Sequence, residues 1–91
     1  MPIEVRFYAQ IREKIGIDKV VLENCNSFSQ LLTSLRKILG DKIGIIFDEH
    51  GNLDNSILVG VNDRLVSQNT FIKIRFRNGD KIDIMPIGSG G

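Results

Sequence analysis

The chain ends in Gly90-Gly91, and the chemistry of that pair resides in the main-chain carboxylate alone. Neither residue carries a Cβ, so the backbone can thread a narrow channel in conformations closed to other residues. A carboxylate is a poor electrophile, but adenylation by ATP gives it a good leaving group. Attack by a sulfur nucleophile then yields a thiocarboxylate at Gly91, and attack by an amine yields an amide. Gly88 and Ser89 complete a tetrapeptide without a packing group, expected to leave the body as a flexible tail. The same composition also suits an idle linker.

Other reactive side chains are sparse. His50 is the one histidine, set among Asp48, Glu49, Asn52 and Asp54, a spacing that lacks the ligand pattern of a calcium loop and reads as a solvated turn. Cys25 is the one cysteine. It precedes a helix start, where a thiol pKa can fall, but no general base lies near it in sequence, and a small structural residue is the simpler reading. Lys73, Arg75 and Arg77 line one side of an alternating segment and read as a solvated face. Walker, dinucleotide-binding and nucleophile-elbow motifs are missing from the sequence.

Ninety-one residues are enough for one core between two layers of secondary structure. Twelve basic and eleven acidic residues leave a formal charge of +1, which supplies no general attraction to nucleic acid or to an anionic membrane. A single cysteine excludes an intramolecular disulfide and fits a reducing cytoplasm. Met1 to Arg6 lack a basic-then-apolar signal pattern, and no apolar run approaches a membrane span. The expectation is a soluble cytoplasmic protein with a body over 1–87 and a tail over 88–91.

The elements that must position the tail are legible as periodicities. Ile3, Val5 and Phe7 alternate with polar residues and predict a strand. Ala9 to Ile15 predicts a short helix stopped by Gly16, and Lys19 to Glu23 a second strand paired with the first. Ser27 and Gln30 form a capping-box pattern ahead of a helix with Phe28, Leu31, Leu32, Leu35, Ile38 and Leu39 on one stripe, closed at Gly40. Ile43, Ile45, Ile46 and Phe47 must be mostly covered, and Asp48 to Asn52 form an exposed turn. Ile57 to Val61 predicts a strand turning at Asn62-Asp63 toward Leu65-Val66. Ile72, Ile74 and Phe76 alternate and predict another extended segment, joined through a type I′ turn at Asn78-Gly79 to a strand over Lys81 to Met85. One helix across one face of a small mixed sheet, an α+β arrangement, follows.

This order of elements, ending in Gly-Gly, resembles the ubiquitin-like β-grasp sulfur carriers, in particular the small-subunit family of molybdopterin synthase. Phe7-Tyr8-Ala9-Gln10-Ile11-Arg12-Glu13 resembles the family's aromatic-Ala-x-x-Arg-Glu segment after the first strand. Val59-Gly60-Val61-Asn62 resembles its central Val-Asn strand end. Asn78-Gly79-Asp80 with Ile82, Ile84 and Pro86 resembles its Gly-Asp turn, last strand and exit to the tail. Where the family commonly has a second proline and a bulky aliphatic residue, this chain has Ile87 and Gly88. The segment from Gly40 to Asn55 is also longer and more polar than in the shortest relatives.

The resemblance implies that Asn78-Gly79 is a loop turn rather than a hairpin, and that reading takes precedence. It further implies a protein that is not catalytic alone. A ubiquitin-activating-type adenylating enzyme would use ATP to activate Gly91, and a sulfur donor such as a cysteine desulfurase or rhodanese would supply the sulfur. The large subunit of molybdopterin synthase would then receive the tail, Gly88, Ser89 and Gly90 included. No cofactor would be bound by the chain itself. Tyr8, Arg12 and Pro86 are the candidate docking residues. Sulfur delivery to a thiazole precursor or a tRNA base, conjugation of Gly91 to a protein amine, and a plain interaction module with an idle tail remain the alternatives.

Overall fold

The computed structural model describes residues 2–87; the expected tail, 88–91, lies outside the described residues. Strand β1 (Ile3–Phe7) buries Ile3, Val5 and Phe7 and leaves Glu4 and Arg6 half-exposed on the opposite face, as a period of two requires. The chain turns at Ala9 into helix α1 (Ala9–Ile15), which buries Ile11 and Ile15. Gly16 ends it in the left-handed region (φ 83°), where its N–H reaches the Arg12 carbonyl. Lys42 Nζ donates to the Ile15 carbonyl at 3.1 Å, placing a cation on the negative end of the helix dipole. Strand β2 (Lys19–Leu22) then runs antiparallel to β1.

Helix α2 (Phe28–Leu39) starts where Ser27 Oγ accepts from the Gln30 N–H at 3.3 Å. The Gln30 side chain accepts in turn from the Asn26 N–H at 2.8 Å, one residue earlier than the usual reciprocal bond. Leu31, Leu35 and Leu39 are buried, with Phe28 and Leu32 half-buried beside them. Ile38 departs from the expected stripe and is 46% exposed, because it lies at the margin of that stripe and turns away from the sheet. Gly40 does not release the chain into a loop. A 3₁₀ segment, Gly40–Ile45, continues from the helix and leads to buried Ile46 and Phe47. Phe28 meets Phe47 and Phe71 edge-on at 5.9 and 5.3 Å.

Strands β3 (Ile57–Val61) and β4 (Arg64–Val66) form a hairpin through Asn62 and Asp63, both at positive φ (50° and 69°), the signature of a type I′ turn. The extended segment expected over 72–76 is not a strand. Ser67 caps a short helix α3 (Gln68–Phe71), and the chain beyond it makes only an isolated bridge between Arg75 and Ser27. Burial there falls on Phe71 and Phe76, while Ile72 is exposed, so the alternation in sequence has no sheet to face. Asn78-Gly79 is a loop turn, as the resemblance implies, and not the hairpin that the periodicity predicts. The Asp80 N–H closes a turn onto the Arg77 carbonyl at 3.0 Å, and only Gly79 has positive φ.

Strand β5 (Lys81–Pro86) enters the middle of the sheet, parallel to β1 and antiparallel to β3, giving the order β2-β1-β5-β3-β4. Ile82 and Ile84 are fully buried beneath the helical layer. The last strand in sequence is therefore the central strand in space.

Candidate functional site: the outer sheet face and the tail exit

Because β5 sends Ile82, Ile84 and Pro86 inward, Lys81, Asp83 and Met85 occupy the face opposite α2. Register extends that face sideways. Arg6 lies opposite Asp83 on one side, and Gly60 lies opposite it on the other, followed by Leu65. Leu58 lies opposite Met85. The outer face thus has two halves.

One half is ionic. Glu4 pairs with Arg6 and with Lys19, whose Nζ is 3.5 Å away. The bond from Arg6 is the chief cause holding the Glu4 carboxyl below the usual range, and the same bond pushes the Arg6 guanidinium upward. The Tyr8 hydroxyl donates to Asp83 Oδ1 at 2.9 Å. The other half is apolar. Leu65 is 67% exposed, Leu58 is exposed, and half-buried Met85 lies opposite Leu58 with its side chain beside Gly60. A hollow over Gly60 is walled by Asp63, Arg64, Leu65, Asp83 and Met85.

The chain leaves the sheet at the rim of this apolar half. Pro86 lies opposite Ile57, and the Ile87 N–H donates to the Ser56 carbonyl at 2.8 Å. Ile87 itself is exposed. The turn that presents Ser56 is held by Asp54, whose carboxylate accepts from the Ser56 N–H at 3.0 Å and from its hydroxyl. Those bonds are the main reason the Asp54 carboxyl lies below its ordinary range.

Of the residues singled out from sequence, Tyr8 and Arg12 line one shallow cleft with Arg6, Asp18 and Lys19. Arg12 is exposed, its Nε 3.9 Å from Asp18. Pro86 is buried as the last residue of β5. Gly88, Ser89, Gly90 and Gly91 lie outside the described residues. Cys25 is buried, and burial pushes its thiol pKa up, so it is not an activated thiolate. Asp48 accepts the His50 and Asn52 N–H groups at 2.8 and 3.0 Å, which assigns it to the turn itself. Among the described residues no acidic, histidine or cysteine cluster is arranged to hold a metal ion, and no helix is long and apolar enough to cross a membrane.

Sequence reasoning missed Leu58, Leu65, Met85 and Asp83. Met85 was the available signal, an apolar residue on the outward phase of an otherwise polar alternation.

A mixed five-stranded sheet grasping one main helix, with a central final strand, defines a ubiquitin-like β-grasp protein. The ThiS family matches residues 5–91, and the chain belongs to that family, a class of ubiquitin-like sulfur carriers. A molybdopterin synthase sulfur carrier subunit of Haemophilus influenzae is 29% identical over 89 residues, covering 98% of this chain and 99% of that protein. Small archaeal modifier protein 1 of Haloferax volcanii superposes with a TM-score of 0.79 at 20% identity, covering all of both chains. Its counterpart from Methanosarcina acetivorans gives 0.76 at 25% identity, covering 99% of this chain and 96% of that one.

Proposed function

We propose that this chain carries sulfur on Gly91 for the building of molybdopterin, as the small subunit of a molybdopterin synthase. The observation that carries the reading is that the family match runs through Gly91, with the nearly full-length Haemophilus relative named for that role. In the proposed sequence a carboxylate oxygen of Gly91 attacks the α-phosphorus of ATP and displaces pyrophosphate. A persulfide sulfur from a cysteine-derived donor attacks the acyl adenylate and expels AMP, and a second thiol cleaves the resulting acyl disulfide to leave the thiocarboxylate. The synthase large subunit then takes up the tail and its sulfur.

This chain's contribution is presentation. The apolar half formed by Leu58, Leu65 and Met85 adjoins the exit at Ile87, so a partner gripping that half has the terminus within reach. The ionic half, with Tyr8 and Arg12 at its border, fixes orientation. A second reading, conjugation of Gly91 to a protein amine, is favoured by the likeness to the small archaeal modifier proteins.

Complementation tests the proposal. Cells lacking the native copy should regain molybdenum-cofactor-dependent activity with the wild-type chain and not with a chain extended by one alanine beyond Gly91, which moves the acid group off the diglycine. Rescue by the extended chain overturns the reading. A ladder of covalent conjugates, without restored cofactor, selects the modifier instead.

A further inference from the structure

We infer that Asp54 is a positioning residue for the terminal carboxylate: it locks the turn that anchors Ile87, and so sets the point from which residues 88–91 reach a partner. The inference rests on the proposed adenylation of Gly91. Its geometry is local. The peptide unit joining Ser56 to Ile57 is held from both sides, its N–H by the Asp54 carbonyl at 3.0 Å and its C=O by the Ile87 N–H at 2.8 Å. The preceding N–H, that of Ser56, is held by the Asp54 carboxylate, which also takes the Ser56 hydroxyl. One residue therefore holds two successive peptide planes, the first through its carboxylate and the second, which carries the anchor of the exit, through its main-chain carbonyl. Lys14, in the last turn of α1, adds a nearby positive charge that favours the ionised carboxylate.

Asp54 is exposed and contributes nothing to the core. What it controls is length and freedom. Four residues beyond Ile87 span at most about 14 Å when fully extended. If the anchor frays, Ile87 itself must be ordered by the partner before reaction. Ordering one more backbone unit is a factor of about 5–30 in rate, and small misplacements of a reacting group are of comparable or larger weight.

The test compares full-length wild type, Asp54→Ala and Asp54→Asn by amide hydrogen exchange and by ATP–pyrophosphate exchange with the cognate adenylating enzyme. In Asp54→Ala the Ile87 amide should exchange about tenfold faster while Val59, inside β3, is unchanged and Tm stays at the wild-type value. The kcat should fall about 5–30-fold with KM for the carrier unchanged, because the docking face is intact. Asn keeps an acceptor oxygen and should restore most of both effects. An unchanged Ile87 amide overturns the inference, and so does an unchanged kcat beside a faster amide. A fall in Tm accompanied by faster Val59 exchange assigns Asp54 to general stability and overturns it as well. If the wild-type chain supports no pyrophosphate exchange, the proposed function falls and the kinetic half of the inference with it, while the Ile87 amide still decides the anchor.

Discussion

The Tyr8 hydroxyl donates to Asp83 Oδ1 across 2.9 Å, joining the residue that follows β1 to the middle of the carboxy-terminal strand. Arg6 lies opposite Asp83 in the register, yet its guanidinium turns to Glu4. The bond thus marks the border between the ionic and apolar halves of the outer face. Tyr8→Phe keeps the ring and removes the donor. Chemical denaturation should show a loss of about 0.5–1.5 kcal/mol, the ordinary net value of such a bond. Indistinguishable curves would show that Asp83 is equally well served by water.

The helix stripe gives a paired prediction. Leu35 is fully buried and Ile38 is 46% exposed, although both are branched aliphatic residues in the same two turns of α2. Leu35→Ala should cost about 2–5 kcal/mol, through lost transfer energy and the cavity left behind. Ile38→Ala should stay within about 0.5 kcal/mol, as a surface change. Equal losses would mean that the helix is rotated from the orientation described.

Leu65 offers the opposite separation, of binding from stability. At 67% exposure it supports little of the core. Leu65→Asp should leave unfolding within about 0.5 kcal/mol of wild type. Titration calorimetry with the activating enzyme should show affinity at least about tenfold weaker, as expected when a charge is placed where an apolar contact must be desolvated. Unaltered affinity would move the docking surface elsewhere.

Acid dependence follows from Glu4. Its folded-state pKa lies below the reference value of 4.5, mainly through the bond from Arg6. A depressed carboxyl stabilises the fold above the unfolded value and loses that contribution as pH falls through the folded one. The stability difference between wild type and Glu4→Gln should therefore be constant near neutrality and shrink below pH 4.5. Denaturation midpoints across that range check it; a difference that grows on acidification would reverse the sign and refute the assignment.

Much of this fold is legible in the sequence where one periodicity acts alone. Ile3, Val5 and Phe7 specify a half-buried strand, and Ser27 with Gln30 marks the start of α2. The segment from Ile72 to Phe76 misleads because its alternation is as good as that of a strand, while helix α3 has already turned the chain away from the sheet. Asn78-Gly79 has the composition of a tight hairpin, and only the resemblance read it as the loop turn that it forms; the type I′ turn is at Asn62-Asp63, where two non-glycine residues adopt positive φ. Apart from Met85 on the outward phase of its strand, the outer apolar half is not legible in advance. Leu58, Leu65 and Met85 share a face only through the pairing of β3 with both β4 and β5, and register across separate strands is a tertiary property. The anchor at Ser56 is hidden for the same reason.

The central claim is that the carboxylate of Gly91 is the reacting group and the β-grasp body presents it. Intact-mass measurement after incubation with ATP, the adenylating enzyme and a persulfide donor tests this most directly. The account predicts a gain equal to sulfur replacing one oxygen, located at the terminal residue by fragmentation and absent when Gly91 is deleted. An unchanged mass, under conditions in which another ThiS-family carrier is converted by its own enzymes, would contradict it.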